Sequence, residues 1–261
     1  MNNSLDEIRL YITEQNLCKW KIMNSEAVVR ICRKYLQDIP VPEAREGGRA
    51  AYVFLYGAGH DFFESYLETG NLQLLTNARE CFEAAVTNYN DTGGSILPEF
   101  YDIILLELGA VCSCQGEHQL AINILNHCIR LSQRNKHTGG VTGALNNLGL
   151  VYEKLGEHLK ARDCLKECLT LLDEARDKSD FAKTQWNLGR VELKLKNYQE
   201  AFVLVSTANT AFKELGLQRF YEQSLADLNR IKEDIGGQDP PTPTRSKLSD
   251  FSLLKWLFRA R

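Results

Sequence analysis

The sequence predicts an all-α fold, a solenoid of antiparallel helix hairpins, on three observations. The dipeptide Leu-Gly recurs at Leu108-Gly109, Leu148-Gly149 and Leu188-Gly189, 40 residues apart each time, and self-similarity at such a period marks stacked repeats. The register holds downstream: the glycines are followed by Ala121, Ala161 and Ala201, then by Leu125, Leu165 and Val205, then by Cys128, Cys168 and Ala208. Proline is scarce, with six residues of which three lie between Pro240 and Pro243, and the rest of the chain is free to form long helices.

Within one repeat the columns define a hairpin. Leu145, Leu148 and Tyr152 fall at i, i+3 and i+7, on one helical face. Gly149 lies inside that helix, where glycine costs about 1 kcal/mol against Ala, so it points to the close approach of a neighbouring helix. Gly156 ends the helix, and Glu157 to Glu174 restarts a second one with Ala161, Leu165, Cys168 and Leu172 turned inward. Small residues at Ala161 and Cys168 let the two helices come together around Leu165, and the apolar face of each unit is covered by the next.

The other segments follow in order. Ser4 to Gln15 and Ser25 to Ile39 read as serine-capped helices closed by Pro40 and Pro42, giving an N-terminal helical cap over 1–42. Residues 43–90 form a degenerate repeat, in which Phe62, Phe63, Gly70, Ala78, Phe82 and Ala85 fit if about three residues are inserted after Gly70. Three clear repeats occupy 96–217. A capping helix over 218–235 carries Leu225, Leu228, Ile231 and Ile235 on one face. Gly236 to Pro243 cannot continue it, so 236–250 is a flexible linker. An amphipathic segment, FSLLKWLFRAR, fills 251–261.

The pattern Leu145-x-x-Leu148-Gly149-x-x-Tyr152 followed by Ala161-x-x-x-Leu165 resembles the tetratricopeptide repeat (TPR). The 40-residue spacing is similar to that of kinesin light chains and of the Leu-Gly-Asn scaffolds of spindle orientation. The resemblance covers 96–235 well and 50–90 loosely. Cys112 and Glu192 stand where the family prefers Tyr, and Gln185 stands where it prefers a large apolar residue. The resemblance implies a right-handed superhelical solenoid with its first helices along a concave face, and a protein that binds other proteins.

Composition narrows the function classes. Hydrophobic residues at 44% and charged residues at 25% suit an ordinary globular chain. A formal net charge of −3 offers no bulk attraction for nucleic acid. The N-terminus lacks a basic start with an apolar run, and no stretch is long enough to span a membrane. Eight cysteines in that context suit free thiols in a reducing, intracellular compartment, with the cytoplasm as the default.

No GxxxxGK[ST], GxSxG, HExxH or GxGxxG motif occurs, so no enzyme and no cofactor are expected. Gly57-Ala58-Gly59-His60-Asp61 lies in an expected helix without a preceding strand and reads as a packing feature or kink. Cys112, Cys128 and Cys168 fall in packing columns and read as small buried hydrophobes rather than metal ligands. The five histidines form no cluster in the sequence.

Counted from each repeat glycine, the positions six, three and two before it and one, four and five after it point into the groove that the resemblance implies. They select Ile103, Leu106, Glu107, Ala110, Ser113 and Cys114; then Gly143, Asn146, Asn147, Leu150, Glu153 and Lys154; then Lys183, Trp186, Asn187, Arg190, Leu193 and Lys194. Asn147 and Asn187 share one column, with Glu107 before and Asp227 after. Asn amides both donate and accept, so this column either holds an extended peptide backbone, as groove asparagines do in the resembling scaffolds, or bonds within the helix pair. Trp186 either anchors an apolar ligand side chain or packs between repeats. Lys183 and Arg190 suit an acidic ligand. The partner surface expected from sequence is therefore Asn146, Asn147, Glu153, Lys154, Lys183, Trp186, Asn187, Arg190 and Lys194.

Phe251, Leu254, Trp256, Leu257 and Phe258 make a second candidate contact, for a partner protein, for the solenoid itself, or weakly for a membrane surface. The leading functional expectation is an adaptor that takes a peptide segment or helix. The alternative is a structural subunit of a stable complex, attached through 251–261. Neither partner identity nor oligomeric state is legible.

Overall fold

The computed structural model describes residues 44–91 and 98–235; the expected N-terminal cap, the linker and the C-terminal segment lie outside the described residues. Among the described residues nine helices and no strand occur: α1 (Ala44–Thr69), α2 (Leu72–Asp91), α3 (Pro98–Cys114), α4 (His118–Arg134), α5 (Thr138–Lys154), α6 (His158–Leu171), α7 (Lys178–Lys194), α8 (Tyr198–Glu214) and α9 (Gln218–Asp234). The chain is an all-α solenoid of helix hairpins. It divides into two compact units, up to Val151 and from Tyr152, the division falling near the end of α5. In unit 1, α1 pairs with α2, α2 packs on α3, α3 pairs with α4, and α1 also touches α3. In unit 2, α6 packs on α7, α7 pairs with α8, α8 packs on α9, and α7 also touches α9.

The repeat glycines mark where the helices of a hairpin meet. A Cβ on Gly109 would stand 2.8 Å from Leu125, and one on Gly189 would stand 2.5 Å from Val205. Both are far inside van der Waals contact, so only glycine lets the helices approach this closely. Gly59 does the same in α1, where a Cβ would meet Phe82 at 2.7 Å. Ala78, Phe82 and Ala85 are fully buried, as are Ala121, Leu125 and Cys128 in the next hairpin. The first hairpin thus packs in the same way, with an α1 of 26 residues where α3 has 17. Within the Gly57-Ala58-Gly59 run the packing role belongs to Gly59, since a Cβ on Gly57 would meet nothing within 4 Å.

The helix ends are built alike. Glu117 N–H donates to Cys112 O, Glu157 to Tyr152 O, and Asn197 to Glu192 O, each at 2.9 Å. A second bond lies inside each: Gly116 to Ser113, Gly156 to Glu153, and Lys196 to Leu193. This pair of bonds satisfies the last carbonyls of a helix and requires a left-handed residue after it. Gly116 and Gly156 supply it at φ +83° and +75°, whereas Lys196 is held at φ +63°. Helix α6 ends at Leu171, short of the Glu174 expected from sequence. There Leu172 turns extended, and Asp173 accepts Ala175 N–H at 3.0 Å, closing a turn in place of another helical one.

Two polar clusters are buried in the packing. In unit 1, Asp102 of α3 is fully buried; Ser132 of α4 donates to its Oδ2 at 2.7 Å, and His137 Nδ1 lies 3.0 Å from the same oxygen. Gly140 opens α5 beside them, and a Cβ there would collide with Ser132. In unit 2, Glu192 occupies the column that held Cys112 and Tyr152, and is fully buried. Asn197 donates to its Oε2 at 2.6 Å, and Lys166 Nζ stands 3.8 Å from its Oε1 and 3.5 Å from Glu200 Oε1. A carboxyl this deep is costly to bury, and the Asn197 hydrogen bond and the nearby Lys166 offset that cost.

Candidate functional site

A repeating pattern of exposure runs along the first helices. In α3, Ile103, Leu106, Glu107 and Ala110 are half-buried while Ile104, Leu105 and Leu108 between them are buried; in α5, Gly143, Asn146, Asn147 and Leu150 repeat the pattern. These helices sit side by side. Asn147 Nδ2 donates to Leu106 O of α3 at 3.4 Å, and a Cβ on Gly143 would press on Leu106. The amide of Asn147 therefore bonds between neighbouring first helices of unit 1.

Unit 2 treats the same columns differently. Trp186 is only 9% exposed and Asn187 6%. The Trp186 ring packs edge-on against Phe212 of α8 and Phe220 of α9, at 5.9 and 6.0 Å, and its Nε1 donates to Asp227 Oδ2 at 2.8 Å. The indole is thus committed to the core of Ala182, Val205, Ala208, Phe212, Leu228 and Ile231. This differs from an open groove anchor, because α9 brings Phe220 and Asp227 over the ring.

The cations on α7 lie around that aromatic group. Lys183 Nζ is 5.4 Å from the Phe220 ring centre, and the Arg190 guanidinium is 5.7 Å from that of Trp186. Arg190 also donates to Glu153 Oε1 at 3.0 Å, and Lys183 to Asp180 Oδ1 at 3.3 Å. The Lys183 and Arg190 side chains remain 36% and 37% exposed, and Lys154 and Lys194 are exposed. They stand seven residues apart, about 10 Å along the helix, each with its head between a ring and solvent. Asp180 and Glu153 are their carboxylate partners within the chain.

The cysteines are placed for packing. Cys112 and Cys128 are fully buried. Burial pushes the Cys112 and Cys164 thiols up to about 11 and Cys128 up to about 12, which keeps them protonated and poor as nucleophiles or ligands. Among the described residues no group of three or more His, Cys, Asp or Glu side chains is placed to hold a metal ion.

A family model described as "Tetratricopeptide repeat" matches residues 100–174 and again 140–208. Residues 100–208 therefore carry tetratricopeptide repeats. The fold of the chain is shared by the apo form of RapI (12% identity, 98% of this chain and 84% of that one, TM-score 0.65). A Rap protein complexed with competence and sporulation factor also shares it (15% identity, 90% and 70%, TM-score 0.62). BtubC (BKLC) from P. vanneervenii is a third (14% identity, 85% and 96%, TM-score 0.54). At these identities the likeness is one of fold. No curated protein matches the chain by sequence.

Phe220, Asp227 and His60 lie on helices outside the residues that the family model matches and were not among the expected site residues. Asp227 was within reach, since it falls in the column of Asn147 and Asn187. His60 sits one residue after Gly59, the position of Ala110 and Arg190 in later repeats, and was hidden by the longer α1. Phe220 lies outside the six columns, and sequence periodicity carried no signal for it. Phe251, Leu254, Trp256, Leu257 and Phe258 lie outside the described residues.

Proposed function

We propose that this chain is a tetratricopeptide-repeat protein and a non-catalytic adaptor that binds an acidic peptide segment or helix of another protein, using the α7 and α9 surface of unit 2. The observation that carries the reading is the placement of Lys183 and Arg190, each over an aromatic ring and each still open to solvent. Lys194 extends the basic edge, and Glu153 fixes Arg190 from the side. Trp186 acts as the rigid floor of this surface rather than as a ligand-filling anchor. A solved protein of this fold, the Rap protein above, is complexed with competence and sporulation factor, which agrees with a binding role for such repeats.

A second reading rests on the apolar and basic sequence FSLLKWLFRAR, in which 251–261 attaches the chain to a large complex and the repeats serve as a brace. No described helix is long and apolar enough to cross a membrane. Capture from cell lysate with the full chain, with the Lys183→Glu and Arg190→Glu double variant, and with a truncation after Ile235 separates the readings. Loss of the principal partner with the double variant alone supports the adaptor. Loss with the truncation alone supports the brace and removes the α7 surface from consideration.

A further inference from the structure

Beyond Arg45 and Arg49 at the start of α1, the first helices of unit 1 lack the cations that outnumber the two acids, Asp180 and Glu192, of α7. From residue 50 to the end of α1, throughout α3, and in α5 up to Val151, there is no Lys or Arg, yet Asp61, Glu64, Glu68, Glu99, Asp102 and Glu107 are present. By contrast α7 holds Lys178, Lys183, Arg190 and Lys194. Asp102 is committed to Ser132 and His137 inside the packing. Glu107 instead lies on the partly open face between α1 and α3, where its Oε1 is 3.4 Å from His60 Nδ1, and the two side chains are 22% and 41% exposed. The His60 ring stacks on Tyr56 at 5.9 Å with an interplanar angle of 24°. On an acidic face without Lys or Arg, the chain's own partner for this carboxylate is a histidine, whose charge is optional near neutral pH.

We propose that His60 and Glu107 form a subsite in unit 1 for a basic side chain, Lys or Arg, of a bound peptide, with the ligand's cation replacing His60 at the Glu107 carboxylate. The inference rests on the adaptor reading and extends it to a second surface. A guanidinium pairs with a carboxylate through two parallel hydrogen bonds, and the Tyr56 ring, on which His60 stacks, is an aromatic face of the kind that attracts such a cation. Neutral imidazole yields the carboxylate easily; imidazolium competes for it.

The groups acting on His60 give the sign of the pH effect. The Glu107 carboxylate at Nδ1 raises its pKa most, burial opposes this, and the charges of Glu107, Glu64 and Asp61 add to the rise. Tyr56 packs on the ring from the same helix, and α2 meets α1 at this level through Phe82. Below its raised pKa the imidazolium occupies Glu107 and closes the subsite, and above it the subsite opens. A basic ligand therefore binds more tightly as pH rises through that value.

The test is selection of a phage-displayed random peptide library on the full chain, on Glu107→Gln, on His60→Gln, and on the Lys183→Glu and Arg190→Glu double variant. Melting temperatures establish that each variant is folded. The proposal expects a class of peptides sharing a Lys or Arg at one position, bound about tenfold more weakly by Glu107→Gln, the size of one charge-assisted hydrogen bond. Synthetic peptides of that class should bind the wild type better at about pH 8 than at about pH 6, and this difference should be lost in His60→Gln. Equal binding by Glu107→Gln, or no shared basic position, overturns the proposal. If the selected peptides depend only on Lys183 and Arg190, the adaptor reading stands and this subsite does not exist. If no peptide is enriched on the wild type, both fail.

Discussion

Trp186 of α7 donates its indole N–H to the Asp227 carboxylate of α9 at 2.8 Å, across the Phe212 and Phe220 rings. This bond joins α7 to α9 beside the rings from which the Lys183 and Arg190 heads stand 5.4 and 5.7 Å. Trp186→Ala should destabilise unit 2 by about 3–5 kcal/mol, in the range for a buried aromatic. Trp186→Phe keeps a ring but leaves the carboxylate without this donor, and should cost about 1–2 kcal/mol more than a shape change alone. Chemical denaturation followed by far-ultraviolet circular dichroism measures both.

Lys196 holds a left-handed backbone at the turn where Gly116 and Gly156 stand in the preceding repeats. A left-handed conformation costs a side-chain-bearing residue about 1–2 kcal/mol, part of which glycine returns as unfolded-chain entropy. Lys196→Gly should therefore raise stability slightly, by up to about 1 kcal/mol, and Gly156→Lys should lower it. A rise in melting temperature for the first and a fall for the second is the expected pair of results.

Gly189 approaches Val205 so closely that its Cβ would stand 2.5 Å from a methyl carbon and 3.2 Å from the carbonyl oxygen of Ala201. Although alanine is the better helix former by about 1 kcal/mol, Gly189→Ala should destabilise unit 2 by about 1–3 kcal/mol, because overpacking forces the helices apart. If the variant is as stable as wild type in denaturant, the close-approach explanation of the repeat glycine is wrong. Val205→Ala in the same background should recover part of the loss.

Glu200 is held near Glu192, and its pKa is raised, first by burial and then by the Glu192 charge. A carboxyl that binds its proton more tightly folded than unfolded opposes folding while ionised. That penalty is full above the raised folded value and fades as pH falls towards the ordinary carboxyl range. Stability from this group should thus increase on mild acidification from neutral pH. Glu200→Gln should be more stable than wild type at neutral pH and should flatten that part of the pH profile, measured by urea denaturation across the range.

The hairpins were legible in the sequence because each column answers a packing demand. Glycine appears where a Cβ would strike Leu125 or Val205, and alanine or cysteine where the second helix turns inward. The first hairpin was harder to place, since the longer α1 moves Gly59 off the 40-residue register even though its contact with Phe82 is the same. The Asp102, Ser132 and His137 cluster gave no sequence signal, because its members lie on three different elements. The groove columns fell on half-buried positions in α3 and α5, apart from a buried Ser113 and an exposed Lys154, but burial of Trp186 depends on side chains brought by α9. Periodicity within one helix does not encode that.

The most direct test of the central claim is amide hydrogen exchange of the full chain with and without its captured, purified partner. The account predicts slowed exchange in α7 around residues 183–194 and in α9 around 220–231, lost in the Lys183→Glu and Arg190→Glu double variant. Protection confined to residues 251–261, with α7 and α9 unchanged, would contradict it and make the repeats a brace.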